Sequence, residues 1–181
     1  GLLLMAALLF ALLGGAATAE EPRRGGTLYW RDASDPPTLD PAKTTDNSST
    51  RLALTLFETL VENDLEGKGL VPCLAERWEG TDGGKTWIFH LRRDVRFHAT
   101  VEGRPTANGG RELRAADVKY SLERLVLTDS PRAYFLDMVK GYQEFVSRDV
   151  SGASEWTGIK VLDDHTLQFE LTYPFAPFVA V

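Results

Sequence analysis

Trp78-Glu79-Gly80-Thr81-Asp82-Gly83-Gly84-Lys85-Thr86-Trp87-Ile88-Phe89-His90-Leu91-Arg92 contains two strand-forming runs joined by a polar turn. Aspartate and glycine tolerate the backbone angles of a sharp reversal, so Thr81 to Lys85 is the turn. Large apolar side chains recur at every second position after it, which predicts a strand over Thr86 to Arg92 paired back on Trp78 to Gly80. Trp87, Phe89 and Leu91 then share one face. Ile88 and His90 share the other, and the strand is expected to be covered on both sides.

Outward from this hairpin the chain repeats the pattern once. Ile159 to Leu162 and Thr166 to Thr172 flank Asp163-Asp164-His165, and Leu167, Phe169 and Leu171 alternate with Gln168, Glu170 and Thr172. This predicts a second hairpin with one apolar face. Between the two hairpins, Ala99 to Arg114 is rich in glycine, proline, asparagine and charge and reads as a surface loop. Ala115 to Leu127 follows with Val118, Leu122 and Leu125 at helical spacing. Tyr134 to Tyr142 is expected to be another helix, with Phe135, Met138, Val139 and Tyr142 grouped. Upstream, Thr27 to Arg31 reads as a first strand that breaks at Asp35-Pro36-Pro37. From Ser48 to about Leu60 the period is helical, with Ala53, Leu56, Phe57 and Leu60 on one face and Asn47 or Ser48 as the cap. The mature chain carries no internal repeat and no low-complexity segment.

Length and charge narrow the function. The 181 residues suit about one domain. A net charge of −6 with no long basic run removes the attraction on which nucleic-acid binding depends. The single cysteine, Cys73, forms no internal disulfide and no cysteine-based metal site. Leu2 to Leu13 is an unbroken apolar run, too short to span a bilayer, and Ala17-Thr18-Ala19 has the small-x-small form of a cleavage site before Glu20. Residues 1–19 therefore read as a signal peptide whose basic leading region is missing. No cysteine stands at the cleavage point, so a released, periplasmic protein is expected. The chain stops inside the apolar stretch from Phe175 to Val181, and the sequence reads as a fragment.

Catalytic patterns are missing. Gly80-x-x-x-Gly84-Lys85-Thr86 is one residue short of a phosphate-binding loop and leads into a strand, where a helix is required. His90, His98 and His165 lack the spacing of a helical zinc site, and no Gly-x-Ser-x-Gly elbow occurs. Asp163-Asp164 sits where turns recruit aspartate for backbone reasons. Trp30, Trp78, Trp87 and Trp156 are candidates for ligand stacking, but large aromatics in strands more often build cores.

Four segments carry a resemblance: Leu74-Ala75-Glu76-Arg77-Trp78, Asp82 to Arg92, Val95-Arg96-Phe97-His98, and Arg114 to Arg124. In this order they resemble the family 5 extracellular solute-binding proteins, the receptors of ABC importers. The likeness extends to Leu39-Asp40-Pro41, Leu56 to Leu60 and Gly158 to Leu167. Asp94 stands where the family usually has a turn glycine, and Arg114 replaces the usual Thr or Asn before a helix, weakening that cap.

The resemblance implies an α/β fold, part of a two-lobed type II periplasmic-binding-protein architecture with a mixed sheet and flanking helices. Residues 20–55 would begin the first lobe, 56–172 an extra domain packed on it, and 173–181 a return segment. It implies no catalysis and no cofactor, but capture of a small solute, a short peptide first, by a monomer that delivers it to a membrane ABC permease. In the family, the chain after the Asp-Pro runs along the cleft and pairs with an extended ligand through backbone groups. By position this is Thr44, Thr45, Asp46 and Asn47, and Tyr134 is a further candidate ligand residue. On local features alone, a helix-capping loop without ligand contact explains the same residues, and both roles are compatible. Two other classes stand beside the receptor: an exported hydrolase with catalytic residues beyond Val181, and a non-binding structural module.

Overall fold

The computed structural model describes residues 25–147 and 155–180, so the predicted signal peptide lies outside the described residues. The chain divides into two compact units, one reaching Asp32 and the other starting at Ala33. In the first, Gly25 to Asp32 forms no strand, contrary to the expectation for Thr27 to Arg31, and Leu28, Tyr29 and Trp30 are exposed. An extended segment becomes a strand only when a neighbour takes up its N–H and C=O groups, and no described strand pairs with this one.

In the second unit, a 3-10 turn at Pro41–Lys43 precedes helix α1 (Asn47–Leu56). The cap is Asp46, one residue earlier than expected, and Phe57 already has extended angles. The helix therefore ends four residues short of Leu60. Of the predicted apolar face, Leu56 and Phe57 are exposed and Ala53 is half-buried, while Leu60, beyond the helix end, packs against the core.

A small hairpin, β1 (Val61–Asn63) with β2 (Leu70–Pro72), leads into the decisive pair, β3 (Ala75–Thr81) and β4 (Thr86–Leu91). Both arms and their turn fall where alternation put them. The loop that follows holds its own short hairpin, β5 (Thr100–Val101) and β6 (Arg104–Pro105), and it ends on Leu113, which is buried. Helix α2 (Ala115–Leu127) forms as expected. The Arg114 side chain makes no cap bond; instead the Asp117 carboxylate accepts from the Arg114 N–H at 2.9 Å and is gripped by Arg111 at 2.6 and 2.8 Å.

The predicted helix over Tyr134 to Tyr142 is broken in two. A 3-10 turn covers Ala133–Leu136 and a short helix, α3, covers Tyr142–Val146, separated by Gly141 at φ +75°. That angle is left-handed, which ends one helical segment and starts another. Met138 and Val139 are nevertheless buried, because Val139 bridges to Leu171 of the last sheet segment.

Strands β7 (Ile159–Asp163) and β8 (Thr166–Glu170) complete a four-stranded sheet of order β3-β4-β8-β7. Every pairing among the described strands is antiparallel, not mixed as expected. Short turns join β3 to β4 and β7 to β8, and two-stranded hairpins are necessarily antiparallel. Register lines up Trp78, Phe89, Leu167 and Val161 on one face, with Trp87, Phe169 and Ile159 beside them. That face meets the core, where Phe89 and Phe169 pack edge to face at 5.5 Å and Phe178 closes on Phe169 at 5.2 Å. The opposite face carries Arg77, Glu79, Lys160 and Gln168 beside half-buried Ile88 and His90, so the sheet buries its residues mainly on the first side.

Trp156 is fully buried, stacked on Phe145 at 5.0 Å with its indole N–H on the Lys140 carbonyl. Close by, a Cβ at Gly158 would stand 2.1 Å from that same carbonyl oxygen, so only glycine fits. Trp78 and Trp87 pack against the core as well, leaving Trp30 as the tryptophan that departs from the core expectation.

Candidate functional site

The segment from Thr38 to Thr50 is assembled from short-range caps and long-range arginine bonds. Asp40 opens it: its Oδ1 accepts from the Ala42 N–H at 3.1 Å and caps the 3-10 turn. Pro41 supplies the fixed φ that such a turn needs at its first position. Thr44 is buried, with its hydroxyl donating to the Pro41 carbonyl at 3.2 Å. Two residues on, Asp46 Oδ1 accepts from the Ser49 N–H at 2.8 Å and starts α1. That backbone bond holds the Asp46 carboxyl below its ordinary range. Ser48 and Ser49 are buried beneath the helix start, Ser49 also receiving the Thr38 N–H at 3.3 Å.

Two arginines from far along the chain clamp this segment. Arg124, in the last turn of α2, donates to both Asp40 oxygens at 2.9 and 2.7 Å. The guanidinium lowers the Asp40 pKa from 3.8 to about 2, because two charge-assisted bonds favour the ionised form. Arg132 donates through Nε to the Thr44 carbonyl at 3.0 Å.

The predicted residues therefore take different positions. Thr44 faces inward and is held by Arg132, Asp46 is engaged as a cap, and Thr45 and Asn47 are exposed. Tyr134 lies in the 3-10 turn that begins directly after Arg132, 60% exposed and packed on Phe135 at 4.3 Å between ring centres. Sequence reading missed the two arginines. The signal that could have found Arg124 was its place in the last turn of a well-marked helix, two positions after the inner-stripe Leu122.

His165 and Asp163, outside this segment, have structural partners. His165 Nε2 lies 3.2 Å from Glu112, and Asp163 accepts from the His165 N–H at 2.7 Å inside the β7–β8 turn. Among the described residues no group of three or more His, Cys, Asp or Glu side chains is arranged to hold a metal ion. No helix among them is long and apolar enough to cross a membrane.

Comparison with known proteins gives a consistent neighbourhood. The chain is 34% identical to di/tripeptide-binding protein 1 of Pseudomonas aeruginosa over 96% of its own length and 31% of that relative's. It is 35% identical to the probable deoxycholate-binding periplasmic protein YgiS of Escherichia coli, over 99% of the chain and 31% of the relative. Among solved structures, Haemophilus influenzae OppA in complex with the peptide RPPGFSPFR superposes with a TM-score of 0.66 at 33% identity, covering 81% of this chain and 27% of that one. The chain thus spans about a third of the length of the curated relatives it matches. Residues 69–181 match the middle segment of the bacterial extracellular solute-binding proteins, family 5, and the chain belongs to that family.

Proposed function

We propose that this chain forms one wall of the ligand cleft in an exported, two-lobed receptor that captures a short peptide and hands it to an ABC permease in the membrane. Residues 20–55 begin the first lobe, 56–172 form the extra domain and 173–181 start the return. The receptor acts as a periplasmic monomer, with residues 1–19 removed on export. The observation that carries the reading is the Asp40-to-Asn47 segment, which is capped internally, clamped from the extra domain and leaves Thr45 and Asn47 open to solvent. An extended peptide laid along such a segment bonds to its backbone as an added strand. Relatives named for di- and tripeptides, and the OppA complex with a nonapeptide, support a peptide as the ligand.

Binding of this kind needs no bond to be made or broken. The signal to the permease is closure of the two lobes, driven by the higher affinity of the closed state for ligand. Calorimetric titration of the receptor at the length of its relatives with dialanine, trialanine, RPPGFSPFR and deoxycholate tests the reading. Binding of one or more peptides and not of deoxycholate is expected. Binding of deoxycholate alone, or of nothing, contradicts it.

A further inference from the structure

Asp40 and Arg124 lie 84 residues apart in sequence and meet in a two-bond pair. The pair joins the start of the Thr44–Asn47 segment to α2, whose inner stripe is packed on the sheet core. Asp40 also caps the 3-10 turn, so whatever fixes its carboxylate fixes the path of the chain into Thr44. At Thr44 the second clamp, Arg132, takes the carbonyl.

We infer that Arg124 is a positioning residue for ligand binding: by holding Asp40 it sets where Thr45 to Asn47 stand on the extra domain, without touching the ligand. This rests on the reading of that segment as the ligand-facing one. A segment held in its binding conformation spends less of the interaction free energy on ordering itself when ligand arrives. The same pair is one modest part of what stabilises the fold. Its Arg124 and Asp40 side chains are 38% and 25% exposed, and an ion pair reached by solvent contributes less than a buried one. A role confined to holding the domain together is therefore not what the exposure favours, and losing the pair is expected to change affinity while the domain stays folded.

The test uses the receptor at the length of its relatives, titrated with whichever of dialanine, trialanine and RPPGFSPFR binds best. Arg124→Met and Asp40→Asn are each expected to weaken binding about tenfold, and the double variant no more than either single one, since both remove the same link. Arg124→Lys restores only part of the affinity, because an ammonium does not reproduce the two-bond fork. Arg92→Met is the control: it breaks a comparable exposed two-bond pair, with Asp94, and is expected to bind as wild type. Wild-type affinity in Arg124→Met, an equal loss in Arg92→Met, or additive losses in the double variant would overturn the inference. If wild type binds none of the three peptides, the peptide reading falls. Amide exchange at residues 44–47 then decides the positioning role. Acceleration of about tenfold in Arg124→Met supports it, and unchanged exchange contradicts it.

Discussion

Phe89 shows how far a single side chain can be read from sequence. It is 2% exposed and edge-on to Phe169, as the alternation around Trp87 required. Phe89→Ala is expected to cost about 3–5 kcal/mol, the lost transfer free energy plus the cavity left behind, measured by denaturant unfolding. Asp40 gives a prediction of a different kind. Its folded-state pKa is about 2 against an ordinary 3.8, so its contribution to stability is complete above 3.8 and is lost as pH falls through about 2. Unfolding free energy followed from pH 5 to pH 2 is expected to fall less steeply in Asp40→Asn than in wild type, and equal slopes would show that the bonds to Arg124 are not formed in solution. Phe89 was legible because strand periodicity depends on neighbours in sequence. The Asp40–Arg124 bond was not, because nothing local to Leu39-Asp40-Pro41 indicates a partner 84 residues away.

Among the elements, hairpins and the long helix were legible and the marginal pieces were not. Both turns of the four-stranded sheet are short and rich in turn formers, so each hairpin closes locally and fixes its own register. Helix α2 likewise has a complete apolar stripe. Thr27 to Arg31 and Tyr134 to Tyr142 depend instead on tertiary context. The first has strand composition but no described partner, and the second is interrupted by Gly141 and by the pull of Val139 toward Leu171. Helix α1 belongs between these cases, since its start is fixed by Asp46 while Leu56 on its apolar side stays exposed. Removing that cap with Asp46→Ala is expected to lower the midpoint of denaturant unfolding, and a neutral effect would mean the helix start is held by Ser48 and Ser49 alone.

At the scale of the whole molecule, family membership was legible because ordered motifs run from Leu39 to Leu167, whereas the ligand was not. Relatives at 34% and 35% identity are named for peptides and for deoxycholate, so likeness over this third of the length does not separate the two. The 181-residue chain alone is expected to give no measurable heat with dialanine or trialanine. A few backbone hydrogen bonds, each about 0.5–1.5 kcal/mol net, do not offset the roughly 4–15 kcal/mol of freedom lost on association. Micromolar binding by this chain would instead put a complete site within it. The proposed function requires the backbone from Thr44 to Asn47 to pair with the peptide. Hydrogen exchange of the receptor at the length of its relatives, with and without saturating peptide, tests this pairing. Amides between Thr44 and Asn47 are expected to become protected on binding while the β3–β4 turn does not change. Peptide binding with unchanged exchange across 44–47 would contradict it.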